Sequence, residues 1–105
     1  NETQRVEASR KLAERLLREK KGDKHRIDFL FQILASRKPS QIEHDALSGL
    51  LDIAKVRFSN STKSAVSLLS IGLAKLDSSL DSRDVAAWTQ VSSTVLASDP
   101  VILLY

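Results

Sequence analysis

Two histidines and a scatter of serines are the residues of this chain whose types could support metal, acid–base or nucleophilic chemistry. His25 stands near Asp23 and Asp28, and His44 stands between Glu43 and Asp45. A zinc site needs three or four ligands converging on one ion, and neither histidine has a second histidine at helical ligand spacing. Both are therefore read as surface residues. The serines form no Gly-x-Ser-x-Gly elbow, and no glycine-rich loop could cradle a phosphate. Cysteine is absent, which excludes disulfides, thiolate metal sites and thiol nucleophiles. No catalytic, metal-binding or cofactor-binding residue is assigned, and the chain is expected not to be an enzyme.

The stretch from Arg18 to Arg26 is the best candidate for contact with another molecule. Lys20, Lys21, Lys24 and Arg26 gather there around Gly22, which should join two helices. Residues 1–45 hold eleven Lys and Arg against eight Asp and Glu, while residues 46–105 hold five of each, so the net charge of +3 comes from the first part of the chain. Glu19 and Asp23 interrupt the cations, no exposed aromatic residue is interleaved to stack on bases, and cations ending a helix also answer its dipole. A protein partner with acidic character is expected, and nucleic acid is not.

The elements that must position these residues are helical. Of 105 residues 42% are hydrophobic and 28% charged, with three glycines and two prolines, and apolar side chains recur every three or four positions. An amphipathic first helix is expected over residues 1–21, with Val6, Leu12, Ala13, Leu16 and Leu17 on one face and the pairs Glu7–Lys11 and Glu14–Arg18 on a solvated one. The second helix, from about Asp23 to Ser36, carries Ile27, Leu30, Phe31 and Leu34. Ser40-Gln41-Ile42-Glu43 reads as a capping box. It opens a third helix to about Phe58, which presents Leu47, Leu50, Leu51, Ala54 and Phe58 with Ile53 alongside.

The fourth helix is expected over about Thr62 to Leu76. Ala65, Val66, Leu68, Leu69, Ile71, Leu73 and Leu76 surround most of its circumference, which should make it the central, most buried element, with Gly72 at a helix crossing. A fifth helix, capped by Asp81 or Ser82, should run to about Ala97 and point Val85, Trp88, Val91 and Val95 inward. Asp99-Pro100 then starts an apolar tail ending at Tyr105. The fold class is all-α, a single five- or six-helix antiparallel bundle over residues 1–105 with its core at about 24–97. Leu30, Phe31, Leu50, Leu51, Leu69 and Trp88 are its predicted core. No apolar run reaches the roughly 20 residues that span a bilayer, so any membrane association should be peripheral. The start at Asn1 is read as that of a fragment or processed product of a larger protein.

Lys24-His25-Arg26-Ile27-Asp28-Phe29-Leu30-Phe31-Gln32-Ile33-Leu34, followed by Ala46-Leu47-Ser48-Gly49-Leu50-Leu51-Asp52-Ile53-Ala54, resembles the C-terminal helical domain of the outer-coat subunit of COPII vesicles. The steroid receptor RNA activator protein shares that domain type, and Trp88 would match the tryptophan of the family's last helix. The likeness spans about residues 24 to 90, and Thr89 to Leu96 departs from the family's usual ending. The resemblance implies a protein-interaction module without catalytic residues. It would act in transport from the endoplasmic reticulum to the Golgi, on the cytoplasmic side at exit sites, with coat subunits or cargo adaptors as partners. The alternative is a nuclear coregulator or RNA-associated module. A homodimer joined through the Val101–Tyr105 tail is a further expectation from the apolar character of that tail.

Overall fold

Helix ends among the described residues are set largely by short polar side chains and, between the first two helices, by a glycine of positive φ. The computed structural model describes residues 2–72 and 75–98. It holds α1 (Glu2–Glu19), α2 (Asp23–Ala35), α3 (Gln41–Asn60), α4 (Thr62–Leu69) and α5 (Ser82–Ala97). Gly22, at φ +85°, turns the chain between α1 and α2, a conformation open to glycine because it lacks Cβ. Ser36 ends α2 in the left-handed region, its amide donating to the Gln32 carbonyl. The capping box is formed: the Glu43 amide donates to Ser40 Oγ at 3.1 Å and the Ser40 amide to Glu43 Oε1 at 2.8 Å. Ser61 separates α3 from α4, its hydroxyl accepting from the Ser64 amide. Asp81 caps α5 by accepting from the Arg83 amide at 2.8 Å.

The described residues form a five-helix bundle with a radius of gyration of 12.9 Å, close to the ~13 Å expected for a folded chain of this length. Its centre is α5 rather than α4. Val85, Ala86, Ala87, Trp88, Thr89, Val91, Ser92 and Val95 are all buried, and α5 packs against each of the other four helices. Alanines and small hydroxyl residues let helices approach from several sides. Thr89 remains satisfied there by donating to the Val85 carbonyl at 2.6 Å. Leu30, Phe31, Leu51, Leu69 and Trp88 lie in the core, together with Ala13 and Leu16 of α1. Leu50 is only half-buried and Ile53 is exposed. The inward line of α3 is Leu47, Leu51, Ala54 and Phe58, and its helical spacing turns the other two residues away.

The fourth helix stops at Leu69, earlier than its apolar composition suggests, and buries only Ala65 and Leu69. The Ile71 amide already reaches only the Leu68 carbonyl, at 3.3 Å, and α1 meets the helix end there. Arg10, almost wholly buried, donates from Nη1 to the Leu69 carbonyl at 2.8 Å, satisfying one of the carbonyls left open at the helix end. A guanidinium at that end also answers the negative pole of α4. Gly72 is not inside a helix but past the end of one, at φ +95°, and a Cβ there would stand 2.6 Å from Glu7 Oε2. The crossing expected at Gly72 is thus a close approach of α1 to the long connection that leads to α5. Glu14 is buried and accepts from the Asp77 amide at 2.7 Å, while Arg18 pairs with Asp77 at 2.8 Å. The Glu14–Arg18 pair expected on a solvated face is therefore replaced by two long-range contacts. Leu73 and the tail beyond Ser98, including Asp99-Pro100 and Val101 to Tyr105, lie outside the described residues.

Candidate functional site

The cations read from sequence gather at the α1–α2 turn, one end of α2, and the α2–α3 link lies at its other end. α1 closes with the Lys20 amide donating to the Leu16 carbonyl at 3.1 Å, and the Arg26 amide donates to the Gly22 carbonyl at 3.1 Å. Arg26 then spans the turn with its side chain. Nε donates to the Lys20 carbonyl at 3.0 Å and Nη1 to Asp23 Oδ1 at 3.1 Å. Lys55 of α3 donates to the same Asp23 carboxylate. Arg26 is half-buried and committed to the turn, so the structure separates it from the other three cations of the sequence reading.

A second framework contact fixes the α2–α3 link. Arg37 grips Glu43 with both nitrogens, at 2.8 and 2.9 Å, and its guanidinium lies 5.2 Å from the centre of the Phe31 ring. Glu43 is 4% exposed yet charged. The Arg37 hydrogen bonds, with further donation from Ser40, hold its carboxyl at about 2, against an opposing contribution from burial. Paired in this way a buried carboxylate is stable, and unpaired it would be costly.

Between these two frameworks lie adjoining hollows. One, of about 520 Å³, is lined by Lys20, Lys21, His25, Asp28, Phe29 and Lys38 among others. The second, of about 480 Å³, is walled by Lys24, Asp28, Lys38, Pro39, His44 and Asp45 among others. Asp28 and Lys38 line both, so the two open hollows adjoin in one cleft region beside α2. Lys20, Lys21, Lys24 and Lys38 take part in no ion pair among the described residues. The Phe29 ring carries Lys20 Nζ at 4.8 Å and the Arg15 guanidinium at 5.1 Å from its centre, contacts that occupy the aromatic surface a base would need for stacking.

Sequence reasoning missed Lys38 and the place of His25 in this cleft. Lys38 is fourteen positions beyond Lys24, past the other end of α2, and the two line one hollow where α2 packs on α3. Its sequence signal was its seat in the Arg37-Lys38-Pro39 break, where a side chain is held at a surface connection. His25 Nδ1 lies 3.1 Å from the Lys21 carbonyl and His44 Nδ1 lies 3.4 Å from Ser48 Oγ. Among the described residues no cluster of three or more histidines and carboxylates could hold a metal ion, and no helix is long and apolar enough to cross a membrane. No family model matches the chain, and no significant match occurs among curated proteins or solved structures.

Proposed function

We propose that this domain is a non-catalytic protein-interaction module that receives an acidic segment of a partner protein in the lysine cleft between the α1–α2 and α2–α3 connections. The observation that carries the reading is that Lys20, Lys21 and Lys38 line one open hollow and Lys24 and Lys38 the adjoining one, none of them in an ion pair among the described residues. Internal ion pairs hold Arg26 and Arg37 beside it. Steering by such cations raises association rates and selects against partners of the same sign. Asp28 stands in the middle of the cleft, where it would repel a continuous phosphate backbone but tolerate a peptide whose carboxylates are spaced. The likeness over residues 24–54 supports placing the module in the outer coat of vesicles leaving the endoplasmic reticulum, with coat subunits or cargo adaptors as the partners. That setting rests on the residue pattern alone.

The test is capture from a eukaryotic lysate on the immobilised domain, with and without nuclease, followed by mass spectrometry. Coat subunits or adaptors that survive nuclease, and are lost when Lys20, Lys21, Lys24 and Lys38 are all changed to Glu, are the expected result. The quadruple variant should stay folded with at most a small loss of melting temperature, because exposed lysines outside ion pairs contribute little to stability and the Lys20 contact with Phe29 is a weak one. Binding that is unchanged by the reversal removes the cleft from the reading. Partners that are ribonucleoproteins and vanish with nuclease replace it with the nuclear alternative.

A further inference from the structure

The outward face of α3 carries a pattern that nothing in the monomer uses. Ile42, Ala46, Gly49, Ile53, Val56 and Asn60 are all exposed, and their spacing runs four, three, four, three, four. That alternation is the 3.5-residue period of a two-stranded coiled-coil seam. Ile42 is 81%, Ile53 67% and Val56 62% exposed, so the seam's large apolar members lie in water. Gly49 sits at its middle, inside a 20-residue helix, and a Cβ added there would meet nothing within 4 Å. Glycine in a helix interior is unfavourable relative to alanine, and no close packing within the chain accounts for it. A second helix pressed against Ala46 and Gly49 would.

We infer that the exposed face of α3 is a homotypic interface, on which a second copy of this chain docks its own α3 in parallel. The flanking charges choose both the occupant and the direction. With Ala46, Ile53 and Asn60 on the first seam line and Ile42, Gly49 and Val56 on the second, Asp52 and Arg57 fall on the two flanks. In a parallel pair, a residue on the first flank faces the one five positions on across the interface. Asp52 then meets Arg57 of the other copy, and symmetry repeats the contact. In an antiparallel pair Asp45 would face Asp52 of the other copy, two like charges. Arg57 is exposed, with one nitrogen bonded to Gln90 Oε1 at 3.1 Å, leaving the rest of its fork for a carboxylate. Asn60 occupies a seam line on which a paired asparagine favours a parallel, in-register dimer.

The seam is short, and the dimer is accordingly expected to form in the micromolar range. Sedimentation of the full chain from roughly 1 µM to 1 mM should show the mass doubling. Ile53→Arg should leave a monomer throughout with an unchanged melting temperature. Asp52→Arg should weaken association at least about tenfold, and Asp52→Arg combined with Arg57→Asp should restore it to within about threefold. A chain that stays monomeric over the whole range overturns the inference. So does a dimer that persists in a folded Ile53→Arg variant, because the contact would then lie elsewhere, or a charge exchange that fails to restore association. Should Ile53→Arg unfold, the charge-exchange series decides alone.

Discussion

Arg37 and Lys38 are neighbours in the α2–α3 link, and the fold employs them in different ways. Arg37 turns inward, where a planar fork meets a buried carboxylate and an aromatic face. Lys38 lines the open cleft and enters no ion pair among the described residues. The same division separates Arg26, which ties the α1–α2 turn, from Lys20, Lys21 and Lys24. Arginine presents several donors in fixed geometry and loses less freedom per bond, so it serves as a structural tie, whereas lysine keeps a mobile point charge. Within the basic segment and the α2–α3 link, the identity of the cation separates framework from binding surface, while Lys55 of α3 shows that a lysine can also tie the turn through Asp23.

The sharpest way to break that contrast is Glu43→Gln. Removing the carboxylate leaves Arg37 without its partner and loosens the start of α3, at an expected cost on the order of 2–3 kcal/mol at pH 7. Because the Glu43 carboxyl is held at about 2, below its ordinary 4.5, its contribution is complete above about pH 5. It is lost as pH falls through 4.5 toward 2, and acid unfolding followed by circular dichroism should show that loss in the parent and not in Glu43→Gln. Gly49→Ala should act in the opposite direction. Nothing obstructs a Cβ at Gly49, so measurement at low protein concentration should show a gain of about 1 kcal/mol. The smallest effect sharpens the other side of the comparison: Lys38→Ala should change stability by less than about 0.5 kcal/mol. An acidic partner should nevertheless bind it more weakly, as fluorescence anisotropy with a labelled peptide would detect.

Local signals made most of the fold legible. The capping box at Ser40, the glycine turn at Gly22 and the span of α5 could be read directly, because each depends on residues within one turn of the feature. The end of α4 could not. Its apolar residues continue past Leu69, while the chain leaves the helix at Ile71 and Gly72, where its end carbonyl is met by a guanidinium that arrives from α1. The choice of α5 as centre was hidden for a related reason. Counting apolar residues favours α4, while close packing favours the alanines, threonine and serine of α5, whose value shows only when several helices press on them. In the candidate site Lys20, Lys21 and Lys24 were visible as a cluster, whereas Lys38 joined them through tertiary packing.

Three of the contacts that α1 makes are Arg10 to the Leu69 carbonyl, Glu14 to the Asp77 amide and Arg18 to the Asp77 carboxylate, each reaching 59 or more positions along the chain. A helix of eight residues such as α4 has no stability by itself, and these bonds form only once the first helix has docked beside the last. The first helix, α4 and the connection after it should therefore open and close together as one cooperative unit, with amide hydrogens of α4 exchanging no more slowly than those of α1. Arg10→Ala should then accelerate exchange throughout α4 while leaving the Leu30 and Leu51 amides protected. Shared exchange of this kind would make the middle and last turns of α1 a fastener for a segment more than fifty residues away.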